Sequence, residues 1–247
     1  MFRLLKALPL TLALAALSIF AASCGSGSQS QVRVVHTISN APALDVNINK
    51  TKVFTNIAFG GVQPTPPAYT KVASGGVTIQ AFNTGTTTNP IFGANGVTAS
   101  LSSSSQYTII LAGILNVTGA NAPAVLQITD NNSAPTSGNV KFRIINASPS
   151  AAPITPFAVD VYIVPPGTDI NQVNPPTVQG LAYGQASSYQ SMAAATYSVI
   201  VTSSGSKTPI IPRQDYTLVA GQIRTLVLVD NVSGGNPPSW LELSDLH

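Results

Sequence analysis

The sequence predicts an all-β protein, two tandem antiparallel β-sandwich domains behind an N-terminal signal helix. Three observations carry this reading. The chain is rich in Ser, Thr, Asn, Gly, Pro, Val and Ile and poor in the charged residues that clothe helix surfaces, Glu242 being its sole glutamate. Apolar residues come in short runs broken by Gly, Pro, Asn and Ser clusters, and beyond the first two dozen residues none keeps a 3.6-residue period. One pattern occurs twice.

The N-terminus comes first. Arg3 and Lys6 precede an apolar run from Ala7 to Phe20, followed by Ala21-Ala22-Ser23-Cys24. Charge, apolar core and small residues in that order make a secretory signal, and the run falls short of the roughly 20 residues that a membrane span requires. The last four residues resemble the bacterial lipobox, whose cysteine is lipidated on sulfur and becomes the new N-terminus; Ala21 stands where that motif usually has Leu. Cys24 is the sole cysteine, so no intramolecular disulfide can form. Residues 1–23 are therefore expected to be removed and Cys24 to carry the lipid. Residues 24–31, polar and rich in Gly and Ser, are expected to be a flexible tether. Several acyl chains on one residue suffice for stable anchoring. Gly25, rather than Asp, follows the cysteine, which in double-membraned bacteria directs a lipoprotein to the outer membrane or cell surface.

Charge excludes one class of partner. The whole chain carries +3, but removing Arg3 and Lys6 leaves nine basic against eight acidic residues, and the bases are scattered. Nothing forms the stripe that tracks a phosphate backbone, so no nucleic-acid partner is expected. A hydrophobic content of 44 % is enough to build cores and argues against disorder outside the tether.

The repeat appears when VRVVHTISNAPALDVNIN, residues 32–49, is laid on FRIINASPSAAPITPFAVDVYI, residues 142–163. Arg33 meets Arg143, His36 meets Asn146, and Asp45-Val46 meets Asp160-Val161. Ala58-Phe59-Gly60 matches Ala182-Tyr183-Gly184, and Tyr69 matches Tyr189. The run from Leu101 then lies on the run from Leu218 without a gap, and AVLQITD from Ala124 lies on SWLELSD from Ser239. Strands are predicted at 32–37, 43–49, 52–57, 76–82, 106–112 and 124–129 in the first copy. In the second they fall at 140–146, 158–164, 196–202, 214–219, 223–229 and 239–244. The turn Val219-Ala220-Gly221-Gln222 reads as a hairpin with Gly221 at positive φ. Copy one spans 32–132, a polar linker 133–139, and copy two 140–247.

The run Arg143-Ile144-Ile145-Asn146-Ala147-Ser148-Pro149, the strand from Asp160 to Ile163, and the turn at Ala182-Tyr183-Gly184 resemble a bacterial family, domain of unknown function 4397. Its members are typically secreted or lipid-anchored and often carry tandem copies, and the resemblance implies an immunoglobulin-like sandwich. Copy one departs from it where His36-Thr37-Ile38-Ser39-Asn40 lacks the Ser-Pro. The family brings no reaction and no catalytic residues.

Site chemistry is sparse. A Ser-His-Asp hydrolase needs an imidazole beside its nucleophile, yet the histidines are His36 and the terminal His247, and Asn146 replaces His36 in the second copy. Asn keeps a hydrogen bond but moves no proton, so the shared role is structural. The few acids mostly flank strands, where Asp caps local backbone, and do not suggest a glycosidase pair. Asp130-Asn131-Asn132 and Asp230-Asn231 offer oxygen ligands at comparable points, which leaves calcium as a secondary reading; with no dense Asp-x-Asp loop, turn chemistry is the main one. No metal or cofactor is expected, and no enzymatic activity.

Three sets of residues stand out instead. Arg33 with Asp45, and Arg143 with Asp160, are kept in both copies and are expected to form ion pairs at one end of each sandwich. Tyr162, Tyr183 and Tyr189 cluster in the sequence around the loop 165–176 and are a candidate binding surface; Trp240, equivalent to Val125, reads as core. The loop itself, reduced to Asn49-Lys50-Thr51 in copy one, reads equally as a display loop or as a tolerated insertion. The expected function is an exported, lipid-anchored cell-envelope protein, a non-enzymatic structural or interaction module attached to a membrane through Cys24, with an envelope protein or glycan as partner. The alternative is an adhesin-like surface lipoprotein that binds glycan or protein.

Overall fold

The computed structural model describes residues 28–151, 158–232 and 235–246. The signal segment, Cys24 and His247 lie outside the described residues. Copy one contains β1 (Gln29–His36), β2 (Leu44–Ile48), β3 (Thr51–Ile57), β4 (Val62–Gln63), β5 (Thr70–Ala73), β6 (Gly75–Asn83), β7 (Val97–Leu101), β8 (Gln106–Ala112) and β9 (Ala124–Asp130). Copy two contains β10 (Asn139–Asn146), β11 (Ala158–Val164), β12 (Val178–Ala182), β13 (Gln190–Ala193), β14 (Thr196–Ser203), β15 (Gln214–Thr217), β16 (Ile223–Val229) and β17 (Ser239–Leu246). The first strand starts at Gln29, inside the stretch expected to be tether, because Gln29 to Val32 pair with β5 and Ser30 is buried.

Each copy is a sandwich of two sheets. In copy one β4-β1-β8-β9 form one sheet, with β5 continuing along the β4 edge of β1, and β3-β2-β6-β7 form the other. In copy two the sheets run β13-β10-β16-β17 and β12-β11-β14-β15. Among the described residues the strand pairings are antiparallel except that β1 runs parallel to β8 and β10 to β16. A parallel pair needs a long crossover, and in each copy the opposite sheet supplies it. The expected hairpin at 218–222 is not one. β15 pairs with β14, whereas β16 pairs with β10 and β17 in the other sheet, so the turn carries the chain between layers. Gly221 does take positive φ, 87°, and its N–H reaches the Asn139 carbonyl.

Strand alternation places Val32 and Val34 in the core of copy one with Val46, Ile79, Ile109 and Leu111. Phe142 and Ile144 do the same in copy two beside Val161, Val201 and Leu226. The opposite faces of these first strands are buried as well. Val35 and Ile110 of copy one pack with Ile145 and Val227 of copy two in a third core, joined by Leu126 and Leu241. The sheets containing β1 and β10 therefore face each other, and the outer sheets face away. Near-continuous apolar runs such as Thr-Ile-Ile-Leu-Ala on β8 are what two-sided burial requires.

Candidate functional site

The charge pattern that the two copies share converges between them. Arg33 and Arg143 both lie on the facing sides of their strands and are 0 % and 1 % exposed. Each reaches across to the other copy: Arg33 Nη2 donates to Asp245, and Arg143 Nη2 donates to Asp130. The contacts are reciprocal in detail. Arg33 Nη1 donates to the Ser244 carbonyl at 3.2 Å and Arg143 Nη1 to the Thr129 carbonyl at 3.0 Å, as in an isologous two-fold interface.

Two threonines close the network into a ring. Arg33 Nε donates to Thr108 Oγ1 at 2.9 Å, and Thr108 donates to Asp130 Oδ2 at 2.7 Å. Arg143 Nε donates to Thr225 Oγ1 at 2.8 Å, and Thr225 donates to Asp245. The circuit Arg33, Asp245, Thr225, Arg143, Asp130, Thr108 thus returns to its start, with two positive and two negative charges. Tyrosines lie over both guanidinium groups, the Tyr69 ring centroid 5.1 Å from Arg33 and the Tyr189 centroid 4.6 Å from Arg143. Their hydroxyls donate to Asp130 at 2.7 Å and Asp245 at 3.3 Å. Burial holds both phenols protonated, pushing their pKa values above the usual range, and the neighbouring carboxylates add to this. Desolvation alone would lower the Arg33 pKa, but Asp245 and Asp130 outweigh it.

Desolvating charges costs several kcal/mol per ion, so such a ring is weak evidence for net stability. Its consequence is geometric. Any slip of one sandwich on the other would leave a buried charge without its partner, which fixes a single docking of the two copies.

The expected pairs Arg33 with Asp45 and Arg143 with Asp160 do not form. Asp45 and Asp160 lie on the outer sheets, whereas the arginines point into the interface between copies, on the far side of each sandwich. The two aspartates share a different task. Asp45 accepts the N–H groups of Asn56 at 2.9 Å and Gly85 at 3.2 Å, together with the Lys52 amine at 2.6 Å. Asp160 accepts those of Gly180 at 2.7 Å and Gly205 at 2.8 Å, and the Ser204 hydroxyl at 3.2 Å. Each carboxylate ties a β-bulge to the turn after the neighbouring strand; the bulge residues Asn56 and Gly180 have φ of 52° and 60°. Burial would raise the Asp45 pKa, but the hydrogen bonds from Lys52, Asn56 and Gly85 win and lower it to about 2.

The expected surface of Tyr162, Tyr183 and Tyr189 does not form. Tyr162 is 1 % exposed and lies under the loop 165–176 with Val164, Ile200 and Ile170. Tyr183 packs into the core between the copies, its hydroxyl buried without a hydrogen bond and its pKa pushed up to about 12 by burial and by Asp230. Tyr189 belongs to the charge ring. Three different environments separate them, and no shared platform exists. The loop is not held out for display: Ile170 is 7 % exposed, and Lys207 donates to the carbonyls of Ile170 at 2.9 Å and Val173 at 2.5 Å while lying over Tyr162. Trp240 packs against the core of copy two.

His36 and Asn146 perform one job. The N–H of Ile38 donates to His36 Nδ1 at 3.2 Å, and the imidazole Nε2 bonds the Pro42 carbonyl at 3.0 Å. Asn146 Oδ1 likewise accepts from Ser148 N–H at 3.2 Å, and its Nδ2 donates to the Leu181 carbonyl at 3.1 Å. Both ring nitrogens of His36 are thus engaged, as its neutral form requires, and burial lowers its pKa. Among the described residues no group of three or more His, Cys, Asp or Glu side chains is placed to hold a metal. Asp130 is committed to the ring, Asn132 to Tyr69 and Gln106, and Asp230 to Ser148 and Ser150.

In a comparison with family models, one described as a domain of unknown function (DUF4397) matches residues 30–162, from β1 through copy one and into β11. No curated protein matches the chain.

Proposed function

The chain belongs to the family of the domain of unknown function (DUF4397), and we propose that it is an exported, lipid-anchored cell-envelope protein. Its two sandwiches form one non-enzymatic module for scaffolding or interaction. The observation that carries this reading is the order of the N-terminal residues, with Arg3 and Lys6, the apolar run and then Cys24 only five positions before β1 begins at Gln29. Fully extended, that stretch spans about 18 Å at most, so a lipid on Cys24 would hold the module close to the membrane. No helix among the described residues is long and apolar enough to cross a membrane. The ring between the copies supports a rigid role, since two domains joined only by a linker would move independently.

The test is Cys24→Ser with metabolic fatty-acid labelling in a bacterial host. Labelled, membrane-associated wild type and an unlabelled, unprocessed variant are the expected results; label retained on the variant overturns the reading. Attachment to a partner on the envelope is the second function. The tyrosines do not favour it, but an open cleft on copy two does.

A further inference from the structure

The two copies treat one sheet edge differently. In copy one the bulge residue Thr55 on β3 is capped by a side chain: its N–H donates to Gln63 Oε1 at 3.2 Å, and Gln63 Nε2 donates to the Thr55 carbonyl at 2.7 Å. The carboxamide pairs with both backbone groups of one residue, as a neighbouring strand would. The ladders locate the counterparts. Val35 pairs with Val62 and Ile145 with Ala186, which sets Ser187 against Gln63; the bulge residues Asn56 and Gly180 set Gln179 against Thr55.

Serine is too short to repeat the plug. The Ser187 hydroxyl donates instead to the Ser188 carbonyl at 2.9 Å and accepts the Ile144 N–H at 3.0 Å. What lies between Gln179 and Ser187 is a cleft of about 400 Å3, lined by Gln179, Gly180, Gln185, Ser187 and Gln190 among others. That size is within the usual range for ligand sites, and the lining is uncharged and more polar than apolar, with Val178 and Leu181 among its apolar members.

We infer that this cleft is a peptide-binding site, where an extended segment of a partner protein supplies to Gln179 the N–H and C=O that Gln63 supplies to Thr55. The chemistry of the copy-one plug selects this ligand. A primary carboxamide has an N–H on the same side as its C=O, and a residue in an extended strand also points both groups one way; either can pair with both groups of one backbone residue. The N-acetyl group of a sugar is a trans secondary amide whose N–H and C=O point oppositely, so it satisfies one group and leaves the other. This narrows the interaction reading to a class of partner and rests on that reading only for the partner's location, because binding is measured without a membrane.

The test titrates the full chain, labelled with nitrogen-15, with the capped peptide acetyl-Thr-Gln-Thr-N-methylamide and separately with N-acetylglucosamine. The peptide is expected to shift the amide signals of Gln179 and Gly180 and to saturate at one site. Replacing its Gln with Ala separates the two modes: retained binding indicates strand pairing, lost binding a carboxamide. Ser187→Gln, which imports the plug, should weaken binding at least about tenfold. Gln63→Ser should open the equivalent cleft and add a second site, reported by Thr55, which keeps the proposal testable even if Ser187→Gln does not fold. Equal or stronger shifts with the sugar, no shift at Gln179 with about 10 mM peptide, or an unchanged stoichiometry in Gln63→Ser would each overturn the proposal.

Discussion

Arg33 and Asp245 are 212 positions apart and bond directly, with both side chains withdrawn from solvent. The first strand of one copy is thus tied to the last strand of the other, and Arg143 with Asp130 repeats the tie in reverse.

A double-mutant cycle separates this pairing from the within-copy alternative. Arg33→Ala or Asp245→Ala alone leaves a buried charge and is expected to cost about 3 to 5 kcal/mol, with coupling between them above about 1 kcal/mol. Arg143→Ala and Asp160→Ala should add within about 0.5 kcal/mol, since they share no partner. Chemical denaturation measures both. Additive losses for Arg33 and Asp245 would refute the ring.

His36 should make stability depend on pH below neutrality. In the unfolded chain it takes a proton near pH 6.5, whereas burial lowers its pKa in the folded state. The unfolded state then binds more protons, so the His36 contribution is complete above about pH 6.5 and is lost as pH falls toward the lowered value. His36→Asn, the residue copy two uses, should lose under about 2 kcal/mol at pH 7.5 and flatten the decline toward pH 5.5. A decline as steep as in wild type would assign it to other groups.

Asp45 acts at lower pH. With its pKa lowered to about 2, its contribution is complete above the unfolded value near pH 4 and disappears as pH falls through the folded one. The stability gap between wild type and Asp45→Asn should therefore be largest near neutrality and shrink from about pH 4 to pH 2. A gap independent of pH would show that the charge on Asp45 does not matter.

The loop 165–176 should be structural. Ile170→Ala removes its buried anchor and is expected to cost about 2 kcal/mol or more, and trimming the loop to the copy-one length should lower Tm by several degrees. An unchanged melting curve after trimming would mean that the small core under the loop contributes nothing.

The repeat was readable from residues alone. Aligning the copies puts Arg33 on Arg143, Tyr69 on Tyr189, Thr108 on Thr225 and Asp130 on Asp245, which is every member of the ring. The pairing was not readable, because each arginine bonds the aspartate of the other copy and alternation within a strand says which face a residue occupies, not what covers that face. Val32-Arg33-Val34-Val35 held a clue, since a strand apolar on both faces must be covered on both. The short edge strands β4, β5, β7, β12 and β13 escaped prediction because at two to five residues they carry too little pattern. The Gln63 plug was invisible for a different reason. A glutamine that imitates a strand has no local signature, and only its register against Thr55 gives it away.

That plug bears on what two like domains within one chain permit. In a symmetric homodimer every edge exists twice with the same sequence, so sealing it against aggregation seals both and opening it for a guest exposes both. Within one polypeptide the degeneracy is lifted. A single codon decides whether each edge is a wall or a doorway, and here position 63 encodes Gln while position 187 encodes Ser.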